Sequence, residues 1–540
     1  MDGLSNTVDV TLNSLSITEE NTTMTLHGED QTHVIVRNWP PFVGPKDARK
    51  LCHRLGLSPK KICPLKDHVY LTFENNEMSS LAVEKLNKFT LKKYTLKAKQ
   101  TGRDRSNALD RMKRHGENDW EESDSVNITD VVTPWHDVSY EEQLERKHAN
   151  CLAFLKDVSL AMAVAGKETI PSSRHYGILE DIRASPKENG YRNKCEFSVG
   201  YNNGYAEIGF RLTRHREGCT VAAADDCKHI PTVMKSVVRQ FRNFILSSGK
   251  APYDVDTKEG FWRMLTVRCY EEGTLIIITV NPSGLDATCI AEIKKEVVNH
   301  FLYQDMTTLP ISSIYYQELL NSSDEPRYEL LSGSAYVYEK LFDMRFCILP
   351  SVFFQVNTKG CEVLYSAVEE LCKSTKADVL LDICCGTGAL GLCLAKNYKH
   401  VIGIDLNKEA IENAKANASA NKINHCDYFC GQLENLIFNV LELDAVKGSK
   451  CVAVLTPTRA GIDQKGIIAL RKCKAVLFLV YISCNIMRSK KNMIDLHRRP
   501  SKRFYGSPFS LVRVVPVDMF PMTPHYATLM LFKKVTLCYG

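Results

Sequence analysis

The sequence predicts an α/β protein with a doubly wound C-terminal domain, a mixed α+β central domain ahead of it, and a small N-terminal βαββαβ domain. Three observations carry that prediction. First, Val379 to Ile383 is an apolar run of strand length, Gly386 and Gly388 permit a tight turn, and Ala389 to Ala395 has the composition of a helix, so the stretch reads as a βαβ unit closed by Val401 to Ile404. Second, apolar runs and amphipathic stretches go on alternating to the C-terminus, which is the pattern of a parallel sheet covered by helices. Third, 540 residues with 44% hydrophobic content are enough for three domains of ordinary size.

Taken in order, residues 1–31 are rich in Thr, Asn, Ser and acids and predict a disordered tail. In residues 32–101, His33 to Val36, His68 to Phe73 and Lys93 to Ala98 read as strands, Lys46 to Leu55 and Met78 to Asn87 as helices. This order resembles an RNA-recognition motif, with Asn38 and Trp39 after the first signature strand and Tyr70 and Phe73 at aromatic positions of the second. Ile35 and His68 stand where stacking rings are usual, so base stacking on this sheet is expected to be weak. Residues 102–138 form a charged linker, basic from Arg103 to Arg114 and acidic from Glu117 to Asp124. Residues 139–375 hold a helix, capped by Ser139 with Glu142 and lined by Leu144, Leu152 and Leu155, and then the central domain. Its expected strands are Asn193 to Tyr201, Ala206 to Thr213, Met264 to Tyr270 and Leu275 to Val280; its expected helices are Val233 to Ser248 and Cys289 to Leu302. Arg192, Lys194, Arg211, Arg214, His215 and Arg216 are interleaved with Tyr191, Phe197, Tyr201 and Phe210, the combination that RNA contact needs. Residues 376–540 form the doubly wound domain, with a helix over Lys408 to Ala420, strands at Cys426 to Cys430, Val452 to Leu455 and Ala475 to Ile482, and Thr528 to Lys534 closing the sheet.

The βαβ unit narrows the ligand. Asp405 ends its second strand about 20 residues past the glycines, where a carboxylate accepts hydrogen bonds from a ribose diol. The ligand should therefore carry a nucleoside. Gly386, Gly388 and Gly391 also satisfy the dinucleotide spacing, which keeps a nucleotide-dependent oxidoreductase open. However, Asp382 at the strand end repels phosphates and suits a cationic, amino-acid-bearing ligand such as S-adenosylmethionine. Ligands and reacting groups belong at the strand C-termini: Asp382 to Gly388, Asp405, Thr456 to Arg459 and Ser483 to Asn485.

Bulk properties exclude several classes. A net charge of +6 permits an anionic partner without demanding one. The 20 cysteines sit singly in apolar segments, as expected of reduced thiols in the cytosol or nucleus, and offer no metal set. Neither a secretory signal nor an Arg-rich transit peptide is legible, and no apolar run approaches the roughly 20 residues that span a bilayer.

Cys484 is the candidate nucleophile. It follows the most hydrophobic strand, whose exit lies beside the ligand crevice, and a thiolate there can attack an electrophilic carbon. Six motifs in order, Tyr-Arg-Asn-Lys-Cys-Glu-Phe-Ser-Val-Gly (191–200), Ile-Gly-Phe-Arg (208–211), Pro-Ser-Val-Phe-Phe-Gln-Val-Asn-Thr (350–358), the Cys-Cys-Gly-Thr-Gly turn, Tyr-Ile-Ser-Cys-Asn (481–485) and Asp-Met-Phe-Pro-Met-Thr-Pro-His (518–525), resemble the RNA 5-methyluridine methyltransferases. The resemblance implies a Rossmann-like methyltransferase domain, S-adenosyl-L-methionine as cofactor and RNA as partner, with the T-loop of tRNA as target. It also implies that Cys484 adds to C6 of a flipped-out uracil, that C5 then takes the methyl group, and that a base removes the C5 proton so that cysteine can leave. Gln355, Cys384 and Asp405 match cofactor-contacting positions, beside Gly386, Gly388 and Thr456; Asn193, Lys194 and Arg211 lie in the substrate-side motifs. Two departures stand out. The family's Asp-Pro-Pro-Arg segment is Thr456-Pro457-Thr458-Arg459 here, and the family's general-base glutamate falls on Ala527. Proline is favoured where Ile486 stands. With the base gone, His525, Asp518 or a water is left to take the proton, and a catalytically impaired RNA-binding or tRNA-folding factor is the competing reading.

Overall fold

The computed structural model describes residues 33–37, 45–64, 68–87, 89–91, 94–101, 127–166, 177–212, 220–255, 257–303, 309–320, 326–458 and 460–535. The expected tail, most of the charged linker, and Asn38, Trp39, Arg214, His215, Arg216 and Arg459 lie outside them. By contacts the chain forms two units, residues 1–110 and 111–540.

In the first unit four antiparallel strands stand in the order Lys61–Pro64, His68–Thr72, His33–Arg37, Lys97–Thr101, with helices Pro45–Arg54 and Asn76–Asn87. Alternation sends Val34, Val36, Val69, Leu71 and Ala98 inward against Leu51, Ala82 and Leu86. Arg37, Lys97 and Lys99 are exposed on the other face, Arg37 opposite Lys97. Phe73, an expected stacking position, is 2% exposed and belongs to the core. It falls just past the strand, where the chain turns inward, so it offers no ring to a base.

The second unit contains a seven-stranded mixed sheet and an eight-stranded, mostly parallel one. The seven-stranded sheet includes Ile311–Glu318 and Tyr328–Gly333, which the sequence reading did not anticipate, and packs helices Thr232–Ser247 and Ala287–Tyr303 on one face. Its opposite face sends Leu275, Ile277 and Tyr315 into a cluster that also contains Leu380, Val452, Val480 and Val515 of the eight-stranded sheet. The expected central and C-terminal domains thus meet in one apolar cluster, while each keeps a second cluster of its own.

The eight-stranded sheet positions the chemistry. Helix α1 (Thr358–Lys373) leads into β1 (Val379–Ile383), α2 (Ala389–Leu394), β2 (His400–Asp405), α3 (Lys408–Ala420), β3 (Cys426–Cys430), α4 (Leu433–Val440), β4 (Cys451–Leu455), α5 (Gln464–Lys472), β5 (Val476–Ser483), α6 (Ile486–His497), β6 (Phe509–Val517) and β7 (Ala527–Lys534). The strand order is β3-β2-β1-β4-β5-β7-β6, with Ile178–Leu179 at the edge. Strands β1 to β5 are parallel; β7 runs antiparallel between β5 and β6. The last strand is therefore inserted rather than closing the sheet, and β6 is an additional strand. The parallel strands are near-continuous apolar runs because helices bury both their faces.

The helix expected with the central domain, Tyr140–Gly166, instead packs on this sheet beside α6, through Cys151, Phe154, Leu155, Val158 and Met162. Its N–H at Glu142 meets the Ser139 hydroxyl at 3.3 Å. The buried stripe runs through Gln143, Lys147 and Cys151, so Gln143 and Cys151 stand one position ahead of the expected Leu144 and Leu152, while Leu155 is buried as expected; the polar Gln143 and Lys147 are accommodated because both have partners inside. Gln143 donates to the Trp135 and Val138 carbonyls and accepts from Met522 N–H. This helix is long and apolar enough by composition to cross a membrane, contrary to the sequence reading, with a mean hydropathy of 1.3 over its most apolar window. Its stripe is occupied in the core of the sheet.

Candidate active site at the strand ends

Register brings the expected positions to one rim. Ile383 pairs with Ile404 on β2 and with Leu455 on β4, and Leu455 pairs with Tyr481 on β5, so the four strands end within two residues of one another, β5 running furthest, to Ser483. Cys384, Asp405, Thr456 and Cys484 all leave from that rim.

The turn after β1 is held by its neighbour. Cys384 has φ +61°, a left-handed conformation costly for a residue with a Cβ, and its N–H bonds the Ile404 carbonyl at 2.8 Å. Gly386 (φ +55°) donates its N–H to Asp405 Oδ2 at 2.9 Å, and a Cβ placed on it meets nothing within 4 Å. Gly388 (φ +74°) precedes α2 at a point where a Cβ meets the Tyr428 hydroxyl at 2.8 Å. Asp405 Oδ1 accepts from Asn407 N–H at 2.9 Å. Each Asp405 oxygen takes one of these backbone bonds and keeps lone-pair capacity for a diol. With open space at Gly386 and a carboxylate at Asp405, the rim fits a nucleoside bearing a positively charged group. Asp382 itself is buried; its Oδ2 accepts from Gly391 N–H at 2.9 Å and its Oδ1 has no partner. Burial pushes its carboxyl up to about 7, Gly391 N–H acting against this and the negative Asp405 adding to it. Burial, with Asp405 and Asp382 nearby, pushes the Cys384 thiol up to about 12, so it remains protonated and inert.

Cys484 is exposed, between the end of β5 and Asn485, which precedes the 12-residue α6. Asn485 N–H bonds Ser483 Oγ at 3.2 Å, and this small turn swings the sulfur out of the sheet beside a helix N-terminus, where negative charge is favoured. Ser483 pairs with Thr528, so continuing the antiparallel register by one residue sets Cys484 across from Ala527. Helix α1 covers the same face: the Cys361 thiol, pushed up chiefly by burial, also feels Cys393 and Cys484. Gln355 lies just ahead of α1 and is half-buried.

Ala527 is fully buried in an apolar cluster, and its methyl group accepts no proton. Asp518, one of three expected substitutes, is 0% exposed, and its Oδ1 accepts from Lys147 Nζ at 2.7 Å. An ion-paired carboxylate with no access to the rim is not a base for C5. Its place is structural: Lys147 also donates to the Phe520 carbonyl, and Tyr191 OH to the Pro521 carbonyl, so the Asp518 to His525 turn is pinned from below. Thr456 N–H bonds the Ile383 carbonyl, and its buried Oγ1 has no partner.

The substrate-side positions divide. Asn193 is 6% exposed; its N–H bonds the Val356 carbonyl at 2.8 Å and its Nδ2 bonds the Gln355 carbonyl at 2.9 Å. It holds the Gln355 segment. Lys194 pairs with Glu196 at 2.8 Å, and Arg211 Nε donates to Ser198 Oγ at 3.2 Å, both on half-exposed strands of the seven-stranded sheet. Phe353, two positions before Gln355, and Leu406, next to Asp405, stand 68% and 70% exposed.

Residues 332–535 match the family model for tRNA (uracil-5-)-methyltransferases. Tyr328 to Gly333 and every element from α1 to β7 thus lie in or at the edge of that match. The chain is 35% identical over 518 residues to the mouse tRNA (uracil-5-)-methyltransferase homolog A, covering 93% of this chain and 84% of the relative. The human homolog A is 34% identical, covering 93% and 82%, and the human homolog B 36% identical, covering 75% and 84%. The crystal structure of Pyrococcus abyssi tRNA (uracil-54, C5)-methyltransferase in complex with S-adenosyl-L-homocysteine superposes with a TM-score of 0.52 at 22% identity, covering 74% of this chain and 86% of that one, a likeness of fold. With a relative at 35% identity matched over nearly the full length of both chains, this chain belongs to the tRNA (uracil-5-)-methyltransferase family.

Proposed function

We propose that this chain, an S-adenosylmethionine-dependent RNA uracil-C5 methyltransferase by family, acts on the T-loop uridine of tRNA through a transient bond between Cys484 and C6. The observation that carries this reading is the strand-end rim: an exposed sulfur after β5 shares one edge with the glycine turn and with Asp405. The cofactor supplies an electrophilic methyl group. Asp405 is the acceptor for its ribose, Gly386 and Gly388 the backbone against which it lies, and Gln355, Cys384 and Thr456 the flanking contacts. The Cys484 thiolate adds to C6 of a uracil taken out of its stack, electron density moves to C5, C5 is methylated, and loss of the C5 proton expels the thiolate. Lys194 and Arg211 belong to the RNA-facing sheet, with the N-terminal βαββαβ unit as an RNA-recognition-like module whose basic face, Arg37, Lys97 and Lys99, meets phosphate.

A second reading, an RNA-binding or tRNA-folding factor with impaired turnover, is favoured by the sealed position of Ala527 and the ion pair that occupies Asp518. Proton removal is then left to His525 or to water. Incubation with methyl-labelled cofactor and unmodified tRNA separates the two. Label at C5 of the T-loop uridine over many turnovers supports the enzyme; label absent where a homologue works, with tRNA binding intact and unaffected by Cys484→Ala, supports the binding factor.

A further inference from the structure

The segment from Leu349 to Asn357 joins the hairpin strand Met344–Ile348 to α1 and has no ladder of its own, so its backbone groups need partners from elsewhere. Most come from the seven-stranded sheet. Arg268, on strand Trp262–Tyr270, is 2% exposed; its Nη1 donates to the Leu349 carbonyl at 3.1 Å and its Nη2 to the Pro350 carbonyl at 2.8 Å. Asn193, on the neighbouring strand's approach, takes the Gln355 and Val356 carbonyls and also donates to Thr358 Oγ1 at 3.0 Å. The eight-stranded sheet contributes less: Ser351 Oγ donates to Glu409 at 2.6 Å, and Asn357 Nδ2 to the Met519 carbonyl at 3.1 Å. The bonds hold both ends of the segment, while Phe353 stays open to solvent. A guanidinium is suited to this task because its rigid fork spans two successive carbonyls; the two Nη groups are used in this way, while the buried Nε has no partner.

We propose that Arg268 is a positioning residue for the cofactor: by fixing the Leu349 and Pro350 carbonyls it sets where the segment ends and so where Gln355 is presented. The seven-stranded sheet is thereby part of the cofactor site. The inference rests on reading Gln355 as a cofactor contact.

The test compares Arg268→Met and Arg268→Lys with Arg471→Met, in the full chain. Arg471 is a matched control: it is 1% exposed, and its Nη1 and Nη2 likewise bond backbone carbonyls, those of Asp495 and Gly506, away from the segment. Binding of S-adenosylhomocysteine is measured by calorimetry, and amide exchange is followed across residues 349–358. The expected result is a dissociation constant raised at least tenfold in Arg268→Met, partly restored in Arg268→Lys and changed less than twofold in Arg471→Met, with faster exchange in the segment only for the Arg268 variants. Equal affinities in Arg268→Met and wild type, or an equal loss in Arg471→Met, overturns the proposal and leaves Arg268 a core residue. If Arg268→Met does not fold, Arg268→Lys decides by the same comparison. If the wild type itself binds no S-adenosylhomocysteine, the cofactor reading fails, and unchanged exchange in the segment separately rejects the clamp.

Discussion

At the scale of single residues, the proposed nucleophile Cys484 lacks the carboxylates that the family resemblance leads one to expect at positions 456 and 527. The β5–β7 ladder ends at Ser483 opposite Thr528, one residue short of Cys484 and Ala527, and the methyl group at 527 accepts no proton. Placing the family's glutamate back, Ala527→Glu, is expected to speed resolution of the RNA adduct by 10²-fold or more, the usual order for a general base, at some cost in stability because the site is now apolar. Single-turnover assays of adduct decay check it, and equal decay in the two proteins rejects the missing-base explanation. Asp382 gives a second prediction. Its carboxyl is raised from 3.8 to about 7, chiefly by burial, so the folded state favours the protonated form. That contribution is complete below the ordinary carboxylate range and is lost as pH rises through about 7, at about 1.4 kcal/mol for each pH unit at most. Thermal melts from about pH 5 to pH 8 should therefore show the wild type losing stability relative to Asp382→Asn; parallel curves contradict the assignment. Much of this site was legible in sequence, because Cys484, Asp405 and the glycines sit at strand ends that apolar runs announce. Asn193 was named there as a substrate-side residue, but its bracing role was not legible, since nothing local reveals that an asparagine will bond a backbone carbonyl 162 positions away.

At the scale of elements, the helix Tyr140–Gly166 shows what spacing alone misses. Apolar periodicity located the helix, yet the buried stripe runs through Lys147, whose amine has been carried into the core to meet Asp518. Burial lowers the tendency of Lys147 to hold its proton, and Asp518 opposes that. Removing one partner strands the other, so Lys147→Met should destabilise the unit by about 3–5 kcal/mol, whereas Lys147→Met with Asp518→Leu should recover most of the loss. Chemical denaturation of both variants tests this; additive losses would falsify the pairing as the cause. Strand β6 was missed for a related reason. Arg513 and Pro516 interrupt its apolar run, and a proline is tolerated there because only the short Ile178–Leu179 and an isolated bridge from Arg183 lie beyond it. The parallel strands β1, β2, β4 and β5 carry no such interruption and were read nearly to the residue.

At the scale of the molecule, one apolar cluster joins both sheets of residues 111–540, where the sequence had suggested a central and a C-terminal domain. Loops and long-range packing decide this, and neither leaves a periodic signature. Since residues 1–110 have their own core, a chain beginning at Arg111 is expected to unfold in a single transition and to bind S-adenosylhomocysteine as the full chain does, with weaker affinity for tRNA. Scanning calorimetry and tRNA titration at fixed salt check both parts. The central claim, that the Cys484 sulfur bonds uracil and that the missing carboxylates slow its release, is tested most directly by denaturing gels of the protein incubated with tRNA and cofactor. The account predicts a persistent RNA-linked band in the wild type, shortened in life by Ala527→Glu and absent in Cys484→Ser. A band of equal intensity in Cys484→Ser contradicts it.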